Sequence, residues 1–131
     1  MQFKPEMIEA IKAGRKTQTR RLCKPGDKLM YRGGVKAMSN AGVVGRNHRA
    51  RYQVGSRYSM CPGRAKPRVG LIRLSAIRLE LASAISETDA IAEGFRSRDE
   101  FLGYWHALYP DLDPVLTPVW VLRFELMAKQ P

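Results

Sequence analysis

Two long stretches of alternating apolar residues constrain this 131-residue chain more than any other feature. The first runs from Val69 to Glu80 and the second from Val119 to Met127. A period of two marks a strand that lays one face on a core. In the first stretch Ile72, Leu74 and Ala76 share a face, and Leu71, Ile77 and Leu79 are expected to join the core further along. A bend near Ser75 would let such a strand serve two sides of a curved sheet. In the second, Trp120, Leu122, Phe124 and Leu126 share a face. Two helical segments lie between them. Ser86-Glu87-Thr88-Asp89 starts a short helix that Gly94 ends. Ser97-Arg98-Asp99-Glu100 has the spacing of a capping box, and Pro110 stops the helix it opens. Phe101, Leu102, Trp105, Leu108 and Tyr109 form that helix's apolar stripe.

The N-terminal half is less regular. Pro5 suits the first turn of a helix, and Met7, Ile8 and Ile11 give it a core-facing stripe that Gly14 terminates. Gly14-Arg15-Lys16-Thr17-Gln18-Thr19-Arg20-Arg21 follows, read as a loop with four cations and two threonine hydroxyls in eight residues. Such a loop suits an anion or a nucleotide. Equally, cations after a helix complement its dipole, worth under ~1 kcal/mol each when exposed. Lys24-Pro25-Gly26-Asp27 reads as a turn and Lys28–Tyr31 as a short strand. From Gly33 to Gly55 the pattern dissolves among glycines, and a long mobile loop or loose hairpin is expected there. It carries a second basic cluster, Arg46 to Arg51. Short strands are expected at Arg51–Val54 and Arg57–Met60, followed by a basic turn around Arg64. Together these elements predict one α+β domain spanning residues 1–131.

Charge separates the two halves. Residues 1–73 hold 18 Lys/Arg against 3 Asp/Glu, a net of +15, whereas residues 74–131 hold 5 against 9, a net of −4. This asymmetry suggests a basic face whose natural partners are polyanions, or a charged solubilising surface. Tyr52 beside Arg51 can stack on a base while cations hold phosphates, or can be an ordinary half-buried strand residue. No apolar run approaches ~18 residues, so no membrane span is expected. Two cysteines and no signal-peptide pattern point to a reducing cytoplasm. Cys23, Cys61, His48 and His106 lack zinc-ligand spacing, and neither a metal nor a cofactor is expected. His48 reads as a surface residue of the basic loop.

Gly14-x-Lys16-x-x-Thr19-x-Arg21 resembles the signature of the ASCH domain, a PUA-like small β-barrel with flanking helices proposed to bind RNA. The family pattern carries Glu where this chain has Thr19. Threonine at that position is similar to a bacterial subgroup, the N(4)-acetylcytidine amidohydrolases. Ala92-Glu93-Gly94-Phe95, followed by a capped helix and a Val-Trp-Val-x-x-Phe strand, also resembles ASCH proteins.

The resemblance implies that Lys16, Thr19 and Glu93 act together. Arg15, Arg20, Arg21, Tyr52 and Arg64 are candidates to hold a nucleoside or RNA, by their charge or aromatic face. The chemistry is physically reasonable. A threonine hydroxyl becomes a nucleophile when a base takes its proton, and a neutral lysine is one such base. Burial and neighbouring cations lower a lysine pKa toward the working range. A carboxylate can pass a proton to a leaving amine or orient water. Two readings follow: an amidohydrolase acting on an acylated pyrimidine nucleoside, or an RNA-binding module without that chemistry. A metal-independent ribonuclease is a variant of the second.

Overall fold

The computed structural model describes residues 1–129. Helix α1 (Pro5–Lys12) leads into β1 (Gln18–Leu22), β2 (Lys28–Tyr31), β3 (Ala41–Val44), β4 (Ala50–Gln53), β5 (Arg57–Met60) and β6 (Gly70–Leu81). Helices α2 (Glu87–Ala92) and α3 (Arg98–Leu108) follow, and β7 (Pro118–Lys129) closes the described chain. The strands form two antiparallel sheets, β1-β7-β6-β5 and β2-β3-β4.

The two long alternating stretches pair with each other, β6 against β7, and form the centre of the larger sheet. Both faces of β7 are buried. Trp120, Leu122 and Phe124 enter one core with Ile72, Leu74 and Val43, while Val119 and Val121 enter a second core with Phe101 and Trp105. The expected irregularity near Ser75 is a register shift between Leu74 and Ala76. It resets the alternation, so Ile72, Leu74 and Ile77 all reach the same core. Leu79, expected to be buried, is 53% exposed. Leu108, placed on the buried stripe of α3, is exposed as well. Ser86 and Ser97 cap their helices as expected, through Oγ acceptors to the backbone N–H of Asp89 and Glu100.

Other expectations differ from the structure in whole or in part. The two sheets are not closed into a barrel. They meet through side chains instead, with Asp27 at the β1–β2 turn accepting from Trp120 Nε1 of the large sheet (2.9 Å) and from Arg51 of the small one. Of the two alternatives for region 33–55, the structure has the hairpin, β3 antiparallel to β4, and not the long loop. Ala41 and Val43 of β3 are core residues. Gly42 misleads here because its role is close approach rather than a turn: a Cβ there would lie 2.4 Å from Gln53 Oε1. Finally, most of the cationic segment after Gly14 is strand rather than loop. Gln18 to Leu22 pairs residue for residue with Arg123 to Val119. No described helix is long and apolar enough to cross a membrane.

Candidate functional site

The buried polar or charged residues of the described chain are Lys16, Gln18, Thr19 and Glu93. They gather where α1, β1 and the end of α2 meet. Gly14, at φ +80°, turns the chain so that the amides of Arg15 and Lys16 both donate to Ala10 O (2.9 and 3.1 Å). Thr17 then donates to Ala92 O (2.7 Å) and accepts from the Phe124 amide (3.0 Å), fastening the segment to α2 and β7. Strand alternation from there sends Thr19 and Arg21 to one side and Gln18 and Arg20 to the other.

Glu93 caps the C-terminus of α2, and Gly94 follows at φ +103°. Lys16 passes close by: a Cβ on Gly94 would sit 3.2 Å from Met7 Sδ and 3.5 Å from Lys16 Cδ. Lys16 Nζ donates to Gln18 O (2.8 Å) and Glu93 O (2.7 Å) and lies 3.5 Å from Glu93 Oε1. Burial pulls its pKa below the usual lysine range, Glu93 opposes that shift, and the Arg21 and Arg20 charges reinforce it.

Behind this pair lies an ionic network. Arg20 Nη1 donates to Glu93 Oε2 (2.9 Å) and Nη2 to Glu80 Oε1 (3.1 Å), while Asp89 Oδ2 is 3.5 Å away. Arg78 joins Glu80 to Asp89 at 2.7 and 2.8 Å, and Gln18 Nε2 donates to Asp89 Oδ1 (3.0 Å). Burial disfavours ionised Asp89, but the Gln18 hydrogen bond and the nearby Arg78 and Arg20 outweigh it and hold its pKa below the ordinary range. Sequence reasoning missed Gln18, Arg78, Glu80 and Asp89. No local signal marked them, because Gln18 and Arg20 share a face only once Gln18–Leu22 is a strand.

Lys16, Thr19, Arg21 and Glu93 line one cavity of about 420 Å³, a size typical of small-molecule sites. Its walls include Phe3, Phe95, Phe101, Tyr104, Trp105 and Tyr109. No hydrogen bond within the described residues engages the Thr19 hydroxyl. Arg21 Nη2 donates to Gln2 O (2.8 Å), its guanidinium carbon sits 5.0 Å from the Phe3 ring centre, and its buried Nε has no acceptor. The buried Nε of Arg20 likewise has no acceptor, so neither orphan N–H by itself marks a ligand position. The cavity therefore combines a planar apolar slot with a lysine, a hydroxyl, a carboxylate and a guanidinium donor.

The remaining residues named from the sequence lie elsewhere. Arg20 borders the cavity but its side chain is 1% exposed and engaged by carboxylates. Arg15 and Arg64 are exposed and outside the cavity. Tyr52 is half-buried against the first core, under the Arg51 guanidinium at 5.0 Å from its ring centre. His48 and His106 are exposed. No group of three or more His, Cys, Asp or Glu among the described residues could hold a metal.

No family model matches the chain. No curated protein matches it. Solved structures do. A protein from Enterococcus faecalis, described under the family model DUF984, is 18% identical over 93% of this chain and 70% of its own, with a TM-score of 0.57. The ASCH domain from Lactobacillus crispatus is 16% identical over 90% and 68%, with a TM-score of 0.54. A mutant ASCH protein from Zymomonas mobilis is 14% identical over 99% and 72%, with a TM-score of 0.51. The chain thus shares the mixed α+β fold of ASCH structures.

Proposed function

We propose that this cavity hydrolyses the amide of an acylated pyrimidine nucleoside such as N(4)-acetylcytidine. The observation that carries the reading is Lys16, buried at the end of an aromatic-walled cavity with its pKa pulled down and Glu93 beside it. Nζ reaches three acceptors, and in the neutral amine the two short ones, Gln18 O and Glu93 O, take both N–H bonds. The lone pair is then available for the Thr19 proton. Thr19 Oγ attacks the amide carbonyl, and the Arg21 guanidinium, which lines the cavity, holds the developing oxyanion. Collapse breaks the C–N bond, and the Lys16 ammonium returns its proton to the departing exocyclic amine. Glu93 orients the water that cleaves the acyl-threonine, releasing the carboxylic acid and restoring the hydroxyl. The choice of substrate rests on the Lys16 and Thr19 resemblance, and the slot of aromatic rings suits a planar base.

A second reading, RNA binding without hydrolysis, is favoured by the exposed cations of the N-terminal half, such as Arg15 and Arg64. The two separate by salt: polyanion binding weakens steeply, whereas turnover of a neutral nucleoside does not. The test is release of cytidine from N(4)-acetylcytidine, followed chromatographically, by wild type, Lys16→Ala and Thr19→Ala. Turnover lost in both variants is expected. Undiminished turnover in either would remove that residue from the mechanism.

A further inference from the structure

A second cavity, of about 440 Å³, opens between the β1–β2 turn and the β3–β4 turn. Lys24, Arg46, Arg49 and Arg51 border it, and Asp27 is the one carboxylate among its lining residues. That carboxylate is already committed. Asp27 Oδ2 accepts from Arg51 Nη1, from Trp120 Nε1 (2.9 Å) and from the Lys24 amide (2.8 Å), and its side chain is 1% exposed. Lys24, Arg46 and Arg49 form no ion pair among the described residues and are exposed. The cavity therefore presents three free cations around a floor whose charge is internally matched.

The local backbone is shaped to hold these cations together. Asn47 and His48 both adopt left-handed conformations, φ +60° and +57°, which non-glycine residues seldom take in succession. The tight turn they make places Arg46 and Arg49 on the same cavity. Gly45 is equally specific: a Cβ there would lie 3.1 Å from Arg51 Cδ and 3.4 Å from Asp27 Oδ1. Gly26, at φ +90°, brings the opposite turn against Arg46, whose Cγ would be 3.3 Å from an added Cβ. Like charges are thus kept close by strained or glycine-dependent turns. Such an arrangement is stabilised by an anion with several oxygens.

We infer that this second cavity is a phosphate-binding site, formed by Lys24, Arg46 and Arg49 over the Asp27–Arg51 pair. The inference goes beyond amide hydrolysis and does not depend on it. The sites are neighbours: Trp120 pairs with Arg21, which lines the first cavity, and donates to Asp27, which lines the second. The phosphate belongs either to a small phosphorylated molecule or to a nucleic-acid backbone running past the first cavity.

Calorimetric titration of the full chain with inorganic pyrophosphate and, separately, with a short oligouridylate distinguishes the sources. Binding of pyrophosphate alone assigns the site to small phosphates, and binding of the oligonucleotide alone to backbone phosphates. In either case Arg46→Gln combined with Arg49→Gln is expected to weaken binding about tenfold or more. For the oligonucleotide it should also reduce the slope of log affinity against log salt by about 0.7 for each phosphate that is no longer neutralised. A control replacing Arg57 and Arg96, exposed cations outside both cavities, by Gln removes the same charge and is expected to bind like wild type. Equal weakening in the two double variants overturns the site, because net charge alone then explains binding. Failure of wild type to bind either ligand overturns it too.

Discussion

Arg20 holds both carboxylate oxygens of Glu93, its backbone N–H donating to Oε1 at 3.0 Å and its guanidinium to Oε2 at 2.9 Å. Thr19 immediately precedes it on β1, so this double contact ties the position of the hydroxyl to that of the carboxylate. Removing the guanidinium would leave Glu93, Glu80 and Asp89 without their shared cation. Breaking a buried pair from one side is destabilising by about 3–5 kcal/mol. Arg20→Ala is therefore expected to lower the urea midpoint by that equivalent, with Arg20→Lys intermediate. A loss below about 1 kcal/mol would place the network among ordinary surface pairs.

The lowered pKa of Lys16 has two consequences with pH. If neutral Lys16 is the base, kcat/KM should rise with pH to a plateau whose midpoint lies below the ordinary lysine value of 10.5. Stability follows the same sign. Between the lowered pKa and 10.5 the unfolded chain binds a proton that the folded chain does not, so the Lys16 contribution to stability increases as pH rises through that window. Below the window both states are protonated and the full penalty of the buried charge is felt. Lys16→Met should flatten this part of the profile, as read from urea midpoints at several pH values. A variant profile parallel to wild type would assign the slope to other groups.

In the proposed mechanism a guanidinium N–H of Arg21, which lines the cavity, is the oxyanion donor. Arg21→Lys keeps the charge and loses that donor. Turnover of the acylated nucleoside is expected to fall about 100-fold, the scale of one oxyanion donor, with a far smaller change in KM. Steady-state kinetics on the two proteins decide it, and a change confined to KM would make Arg21 a binding residue only.

Gly94 is expected to tolerate no side chain. Gly94→Ala meets a left-handed backbone and presses on Met7 Sδ at 3.2 Å, while Lys16 Cδ at 3.5 Å stays in ordinary contact. The conformational term alone is about 1–2 kcal/mol. Thermal stability should therefore fall while the pH midpoint of activity stays at the wild-type value, because Lys16 need not move. A shifted midpoint would show that the strain at Gly94 is passed on to Lys16.

The sequence by itself determined the elements whose signals are local. The alternation of Val119 to Met127, the serine caps of α2 and α3, and the glycine stops at Gly14 and Gly94 were legible because a strand's period, a cap or a left-handed turn depends on a few adjacent residues. Lys16, Thr19 and Glu93 could be named as candidates by resemblance. Tertiary structure alone decided that they line one cavity, since Lys16 and Glu93 are 77 residues apart and meet only when α2 ends against the segment after α1. It also decided that Gln18–Leu22 is a strand. Its side chains are largely polar because one face enters an ionic network and the other a cavity, so the alternation that betrays a strand on an apolar core is missing. Gly42 likewise read only as one of the glycines that interrupt the pattern, and became a close contact once Gln53 crossed it from the neighbouring strand. Local chemistry writes caps and periods into the chain. The partners of a buried charge are written only by the fold.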